Sequence, residues 1–173
     1  IALTVTKKEI GNIQVGGTNL LGSHIPIYGL YNIPSFVRTG TTSFEVIGHV
    51  NNDGTVRISN IIDGNGWYTI SFDVKCQVEG WNVGVEFCDG EIKDFRPIST
   101  TDYTHCVYSY EVANYTSDIF NFIDIYGLSS QTFWFKNIKV ERGKIATDYS
   151  PCPSDYSTTT EMNSAIQQKA DEI

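Results

Sequence analysis

The residues of this sequence with the clearest capacity for binding chemistry are tryptophans that fall out of phase with the apolar rows around them. Trp134 lies between Phe133 and Phe135, so alternation along a strand sends its indole ring outward. We expect Trp67 and Trp81 to be exposed near strand ends as well. An exposed indole needs a reason, because it leaves a large apolar surface in water. Sugar binding is one such reason, since the C–H face of a pyranose stacks on an aromatic ring.

Polar side chains beside these rings are expected to form hydrogen bonds to the hydroxyl groups of the same sugar. Tyr103 and His105, for example, share the outward face of one alternating segment. The residues predicted to bind carbohydrate are Trp67, Trp81, Trp134, Tyr103, His105, Asp73, Asn82 and Glu86, with Lys75 and Arg96 as further hydrogen-bonding candidates. The alternative for each tryptophan is packing beneath a loop, because large aromatic side chains are usually mostly buried.

No catalytic constellation is recognisable in the sequence. The G-x-S-x-G, H-E-x-x-H and P-loop motifs are all absent. Glycoside hydrolysis needs two facing carboxylates about 5 Å or about 6.5–9.5 Å apart, and Asp73 and Glu86 are the pair considered for facing one another across a sheet. Neither residue lies in a motif, and carboxylates on half-solvated strands are common, so we predict that the protein is not an enzyme.

Metal binding has little support from residue spacing. The three histidines, His24, His49 and His105, have no partners at the spacing of a metal site. Structural calcium is frequent in β-sandwiches, and Glu141 and Asp148 are the carboxylates considered for it. No local motif supports such a site, so no cofactor is predicted with certainty and structural calcium is left open.

Alternating apolar and polar residues dominate the chain from Ser43 onward, which is typical of half-buried β-strands. One inward row has five members: Tyr68, Ile70, Phe72, Val74 and Cys76. Glycine-rich turns such as Asn51–Gly54 and Asp63–Gly66 separate these segments at intervals of about ten residues. No helical pattern lies between Gly16 and Pro153. The sequence therefore predicts an all-β fold, a jelly-roll β-sandwich of two antiparallel sheets with about eight strands.

The last alternating segment is predicted to be the closing strand of this sandwich. The step from Phe135 to Ile138 breaks the period of two by one residue, so we expect a bulge near Lys136–Asn137. The strand should end at Arg142–Gly143. Ile119–Tyr126, which is nearly all apolar, is interpreted as a further strand.

The two ends of the chain differ from this pattern. Residues 1–15 are interpreted as an N-terminal linker, residues 16–153 as the sandwich and residues 154–173 as a C-terminal linker with a short truncated helix. Residues 16–42, which are rich in glycine and are not periodic, are interpreted as one N-terminal strand and a long loop. Because the sequence starts at Ile1 without Met, we expect an excised piece of a longer polypeptide.

Charge and hydrophobicity exclude some classes of partner. The formal net charge is −8 and the pI is about 4.7, so a phosphate backbone or an anionic membrane would on average be repelled. We therefore predict no nucleic-acid binding. A local basic patch can still attract an anionic partner, because the average charge does not describe every part of the surface. No run approaches the roughly 20 apolar residues of a membrane span, so no membrane insertion is predicted.

The four cysteines are separated by 12, 18 and 46 residues, which matches no zinc motif. Cys76 and Cys106 sit within apolar alternation and are predicted to be small buried side chains. Cys152 lies between two prolines and is expected to be exposed. The sequence alone neither predicts nor excludes a disulfide between these cysteines.

Three strings in the sequence resemble carbohydrate-binding modules of bacteriophage tail proteins. FKNIKVERGKIATDYSPCPSD is similar to the C-terminal signature of modules in tail-tip, baseplate and fibre proteins. GGTNLL and GWYTISFDVK are similar to their first and central motifs, so the resemblance covers roughly residues 16–155. It implies a host-adhesion module that binds cell-surface or cell-wall polysaccharide as part of a receptor-binding viral protein.

The same resemblance implies the cellular setting. The parent protein would be a homo-oligomer in the virion tail, in contact with other phage tail proteins. It would be assembled in the host cytoplasm, where thiols stay reduced. Two rivals remain open: a structural spacer or assembly domain with no ligand, whose tryptophans are all buried, and a cell-wall glycan hydrolase with a carboxylate pair in one cleft.

Overall fold

The fold is described from a computed structural model that covers residues 17–31, 33–88, 93–98, 100, 102–117, 121–156 and 159–171. Ten strands follow one another: β1 (Ile27–Leu30), β2 (Ser35–Gly40), β3 (Ser43–Ile47), β4 (Gly54–Ile58), β5 (Gly66–Cys76), β6 (Trp81–Phe87), β7 (Lys93–Ile98), β8 (Thr104–Val112), β9 (Ile123–Leu128) and β10 (Thr132–Arg142). A short 3-10 turn and one helix, α1 (Thr159–Asp171), complete the described chain. No helix in these ranges is long and apolar enough to cross a membrane.

The ten strands form two five-stranded sheets that pack face to face. Sheet I has the order β1-β4-β9-β6-β7, and sheet II has the order β2-β3-β10-β5-β8. Every pairing between these strands is antiparallel. The predicted jelly-roll β-sandwich of two antiparallel sheets is therefore confirmed, as is the short C-terminal helix.

The inward rows of both sheets meet in one apolar core. All five members of the predicted row on β5 are fully buried. Aromatic rings connect its strands: Phe72 on β5 contacts Phe135 on β10, with ring centroids 5.3 Å apart, and Phe135 stacks on Phe44 of β3 at 4.5 Å. Burial of these rings removes a large apolar area from water, which is the main stabilising contribution in such a fold.

Strand β10 lies at the centre of sheet II and contains the predicted bulge. Its register with β5 shifts between Lys136 and Lys139. Asn137 has a left-handed backbone with φ of 52° at this point, a conformation that asparagine tolerates better than most residues. The strand ends at Arg142, as expected.

Beyond the bulge, the N-terminal segment pairs with β10 in place of β3. The Leu20 amide donates to the Val140 carbonyl at 2.7 Å. The Asn19 side chain accepts from the Val140 amide at 3.1 Å and donates to the Ile138 carbonyl at 3.1 Å. These bonds satisfy backbone groups that would otherwise be buried without partners.

After β10 the chain folds back over the outer face of sheet II. This C-terminal strap, residues 144–150, covers Lys139 and Glu141, whose side chains are 1% and 0% exposed. The Lys139 ammonium donates to Thr147 Oγ1 and to the Asp148 carbonyl at 2.7 Å each. Burial lowers the pKa of Lys139, and Glu141 opposes part of that effect. The strap is thus hydrogen-bonded to a buried ion pair of β10.

Several local predictions differ from the structure. Residues 16–42 contain two strands, β1 and β2, in addition to the N-terminal segment, so the long-loop interpretation is wrong over those strands. Strand β7 was not expected, and β9 begins four residues later than its predicted start at Ile119. Residues 118–120 lie outside the described ranges.

All four cysteines are buried, and none of them is joined in a disulfide. The prediction is confirmed for Cys76 and Cys106, which are fully buried in the core. The expected exposure of Cys152 is wrong, because this side chain is only 5% exposed.

Candidate functional site

The outer face of sheet I carries a straight row of four polar and aromatic residues. Tyr28 pairs with Arg57, Arg57 pairs with Asp124, and Asp124 pairs with Glu86, one residue on each of four adjacent strands. We call these four residues the sheet I row. Because neighbouring strands are about 4.8 Å apart, the row extends across roughly 14 Å.

The middle of the sheet I row is a buried ion pair. Arg57 Nε and Nη2 donate to the two carboxylate oxygens of Asp124 at 2.7 and 2.6 Å. Asp124 is 0% exposed and Arg57 is 24% exposed. The guanidinium carbon also lies 3.6 Å from the ring centroid of Phe122. These contacts hold the guanidinium in one orientation, and the hydrogen bonds to Asp124 raise its pKa above the ordinary value.

One edge of the Arg57 guanidinium is left for a ligand. Both bonds to Asp124 use Nε and Nη2, and Nη1 has no hydrogen-bond partner in the described part of the chain. Two N–H groups on one planar nitrogen suit the hydroxyl oxygens of a polyol.

Tyrosines surround this guanidinium. Tyr28 is 40% exposed and Tyr31, which has a left-handed backbone, is 61% exposed. Tyr31 lies close enough to interact electrostatically with both Arg57 and Tyr126. Burial, together with a hydrogen bond to Glu86, raises the pKa of the Tyr126 hydroxyl. The face therefore combines exposed rings with fixed donors and acceptors.

Of the predicted site residues, Glu86 and Asn82 lie on this face. Both alternate with the buried residues Val83 and Val85 of β6 and point away from the core. The sequence did not single out Tyr28, Arg57 or Asp124. The alternation of Arg57 between two inward apolar residues was the available signal, but nothing local shows that its partner lies 67 residues further along the chain.

The expected outward orientation of Trp81 is wrong. Trp81 is in phase with Val83 and packs against the core. Its indole N–H donates to the Gly127 carbonyl at 2.7 Å. The partly exposed ring lines a shallow cavity at the end of sheet I together with Asn52, Gly80, Asn82 and Gly127.

Four other predicted residues meet on the outer face of sheet II. Trp134 and Tyr103 are half-buried there, with Asp73 on the strand between them. His105 Nδ1 lies 2.7 Å from Asp73 Oδ1. Alternation therefore placed Trp134 and Tyr103 correctly.

Trp67 shares the outer face of sheet II but lies apart from that cluster. It is eight residues along β5 from Lys75, the residue that pairs with Trp134, and eight residues of a strand extend about 26 Å. Its ring is half-buried, with the Lys144 ammonium 4.6 Å from the ring centroid. Arg96 lies on β7, but the structure does not describe its side chain, so its predicted role is not tested.

The carboxylates considered for hydrolysis do not share a cleft. Asp73 alternates with inward residues of sheet II, and Glu86 alternates with inward residues of sheet I. They therefore point away from opposite faces of the sandwich, and the facing arrangement considered from the sequence is not present.

The carboxylate of Glu141 is already engaged. It accepts from the Thr147 hydroxyl and amide at 2.8 and 3.2 Å and pairs with Lys139 at 3.6 Å. A cation at Glu141 would have to displace Lys139. Within the described ranges, no group of three or more His, Cys, Asp or Glu side chains is placed to hold a metal ion, and structural calcium stays a prediction.

No family model matches the chain, and no curated protein matches it in sequence. Solved structures do match its fold. The CBM22-1 xylan-binding domain of Xyn10C from Paenibacillus barcinonensis has a TM-score of 0.50 and 12% identity, over 78% of this chain and 99% of that chain. A family 29 carbohydrate-binding module complexed with cellulohexaose has a TM-score of 0.49 and 16% identity, over 75% and 92%. At these identities, the match to the xylan-binding domain shows a shared fold.

Proposed function

We propose that this chain is a carbohydrate-binding module that binds a saccharide chain across the sheet I row. The observation that carries the proposal is the row itself: Tyr28, Arg57, Asp124 and Glu86 lie side by side on four strands. An exposed tyrosine at one end offers a ring to a pyranose face. The fixed guanidinium of Arg57 offers N–H groups to hydroxyl oxygens, at little cost in side-chain entropy because Asp124 and Phe122 already hold it.

The comparison supports the same function. The solved domain that shares this fold is named as a xylan-binding domain. Binding without catalysis is further supported by the placement of Asp73 and Glu86 on opposite faces, since hydrolysis needs two carboxylates about the same sugar ring.

Calorimetric titration with soluble xylan, mannan and β-glucan tests the proposal. We expect binding to at least one of them, and Tyr28→Ala should weaken it about 2- to 13-fold, because an aromatic contact contributes roughly 0.5–1.5 kcal/mol. The matched control is Trp67→Ala, which removes an aromatic residue from the opposite face and should leave the affinity unchanged.

Two results would contradict saccharide binding at the sheet I row. The first is the absence of heat with every neutral polysaccharide, which favours a structural spacer. The second is an equal loss of affinity in Tyr28→Ala and Trp67→Ala. Release of new reducing ends during the titration would show an enzyme instead.

The biological setting is a finer part of the proposal. The likeness of the first and last motifs to phage tail modules supports a role in attaching a tail protein to host cell-surface saccharide. Several copies on one particle would turn weak contacts into firm adhesion through effective concentration. Beads that carry many copies should bind host cells, and the free polysaccharide recognised in the titration should compete. Beads that bind equally well in saturating polysaccharide would contradict this role.

A further inference from the structure

The outer face of sheet II carries two lysines that rest on aromatic rings. The Lys136 ammonium lies 4.1 Å from the ring centroid of Tyr103, and the Lys75 ammonium lies 5.0 Å from the same centroid. Lys75 also lies 5.4 Å from the ring of Trp134, its partner across the strands. We call Lys75, Tyr103, Trp134 and Lys136 the aromatic–lysine patch.

Among the described residues, no carboxylate forms an ion pair with these two ammonium groups. Neither Lys75 nor Lys136 makes an ion pair with any residue in the described ranges. By contrast, Lys139, Arg57 and Arg142 are all paired with carboxylates. In a chain with a net charge of −8, these two neighbouring ammonium groups rest on aromatic rings and are not used in a direct ion pair.

The nearby carboxylates are engaged elsewhere. Asp73, which pairs with Lys136 across the strands, is held by His105 and accepts from Asn137 Nδ2 at 2.9 Å. Glu45 accepts from the indole N–H of Trp134 at 3.2 Å. Both acids keep their charge, but their described hydrogen bonds go to other residues, so neither holds the ammonium of Lys75 or Lys136 in an ion pair and both ammonium groups can reach an external anion.

We infer that the aromatic–lysine patch is a second saccharide site, and that it takes an acidic polysaccharide whose pyranose rings carry carboxylates. A uronate fits because one residue supplies both features: a C–H face for Tyr103 or Trp134 and a carboxylate attached to that same ring. An exposed ammonium–ring contact contributes only about 0.5–1 kcal/mol, so a carboxylate can draw the lysines away from the rings. The site lies opposite the sheet I row and is independent of it.

The test uses polygalacturonate and its fully methyl-esterified form, which has the same backbone without the charge. We expect the chain to bind the acidic polymer and not the ester, with binding that weakens as salt is raised, because Lys136 is exposed and Lys75 is half-exposed. Replacing both Lys75→Met and Lys136→Met should reduce the affinity about tenfold, which corresponds to about 1.4 kcal/mol. Replacing both lysines by arginine should retain binding.

Matched controls separate this site from the sheet I row. Lys144→Met removes another lysine that lies over a tryptophan on the same face, and Tyr28→Ala removes a ring from the opposite face. Neither should change the affinity for polygalacturonate. Thermal unfolding of each variant should match that of the parent chain.

Four results would overturn the inference: no binding of polygalacturonate, equal binding of acid and ester, full binding by the double methionine variant, or an equal loss in Lys144→Met. Tighter binding of poly(glycerol phosphate) would assign the patch to phosphate polymers and overturn the uronate assignment. The sheet I row is tested with neutral polysaccharides and Tyr28→Ala, and the aromatic–lysine patch with polygalacturonate and the lysine variants. Either proposal can therefore be rejected without rejecting the other.

Discussion

Arg57 and Lys139 are each paired with a carboxylate that is 0% exposed, yet the two pairs have different consequences. Arg57 keeps one nitrogen free of described partners, so its pairing with Asp124 orients a donor toward solvent. Lys139 uses its ammonium on Glu141, Thr147 and the strap backbone. In the proposed function, the first pair orients a donor for a saccharide, whereas the second pair holds the last segment of the sandwich.

Removal of the Lys139 ammonium should be strongly destabilising. Lys139→Met keeps the side-chain volume but leaves the buried Glu141 carboxylate without its cation, and we expect a loss of about 3–5 kcal/mol in the free energy of unfolding. Denaturant unfolding measures this change. Lys136→Met, an exposed lysine on the same strand, is the matched control and should change stability by less than about 0.5 kcal/mol.

A second variant separates the unpaired charge from lost packing. Lys139→Met combined with Glu141→Gln removes both charges, so it should recover a substantial part of the lost stability. Equal stability of Lys139→Met and Lys136→Met would show that the buried pair does not hold the strap.

At the level of strands, the bulge in β10 decides which side chains reach each face. Without the extra residue, the inward row that includes Phe135 could not continue through Ile138 and Val140. The bulge also places Asn137 beside Asp73, and the Asn137 Oδ1 atom is buried without a hydrogen-bond partner in the described part of the chain. Because only one end of its amide is hydrogen-bonded, we expect the left-handed backbone of Asn137 to matter more for stability than its side chain.

Two substitutions at Asn137 test this view. Asn137→Gly and Asn137→Ala both remove the amide, but only glycine accepts a φ of 52° without strain. We expect the alanine variant to be less stable than the glycine variant by about 1 kcal/mol in denaturant unfolding. Equal stabilities would mean that β10 loses or moves its bulge without cost.

The sequence predicted the central strands and the long edge strand β8 well, and it predicted the short edge strands poorly. Central strands such as β5 and β10 are paired on both sides and contribute whole inward rows to the core, so alternation marks them clearly. The three strands that were missed, β1, β2 and β7, are all at sheet edges. An edge strand is paired on one side only, and short edge strands are one way in which proteins avoid further pairing. Their apolar pattern is correspondingly weak.

The candidate sites follow the same logic. The outward placement of Trp134, Tyr103 and His105 could be predicted, because each alternates with core residues in or next to a long strand, β10 or β8. The sheet I row could not, because it joins residues from four strands and depends on the order of those strands in the sheet. Alternation gives the face of each residue, and only the pairing of strands shows which residues become neighbours.

For the whole molecule, the four buried thiols should report on global unfolding. None of the four cysteines is more than 5% exposed, so Ellman's reagent should react slowly with the folded chain and rapidly with four thiols in denaturant. The reaction rate should therefore follow the unfolding equilibrium under mild conditions. Rapid reaction of one thiol in the folded chain would contradict the burial of that cysteine. Loss of the rapid reaction in a Cys152→Ser variant would show that the reactive thiol is Cys152.

The segment before β1 and the segment after β10 are hydrogen-bonded to each other at one corner of the sandwich. The Asn19 amide donates to the Ser150 carbonyl at 2.9 Å, and the Ser23 amide donates to the Asp155 carboxylate at 2.8 Å. If the two ends of the domain are pulled apart, the load reaches these bonds first. Neither the sheet I row nor the aromatic–lysine patch contains any of these residues, so we expect both proposed sites to stay folded until the hydrogen bonds of this corner break.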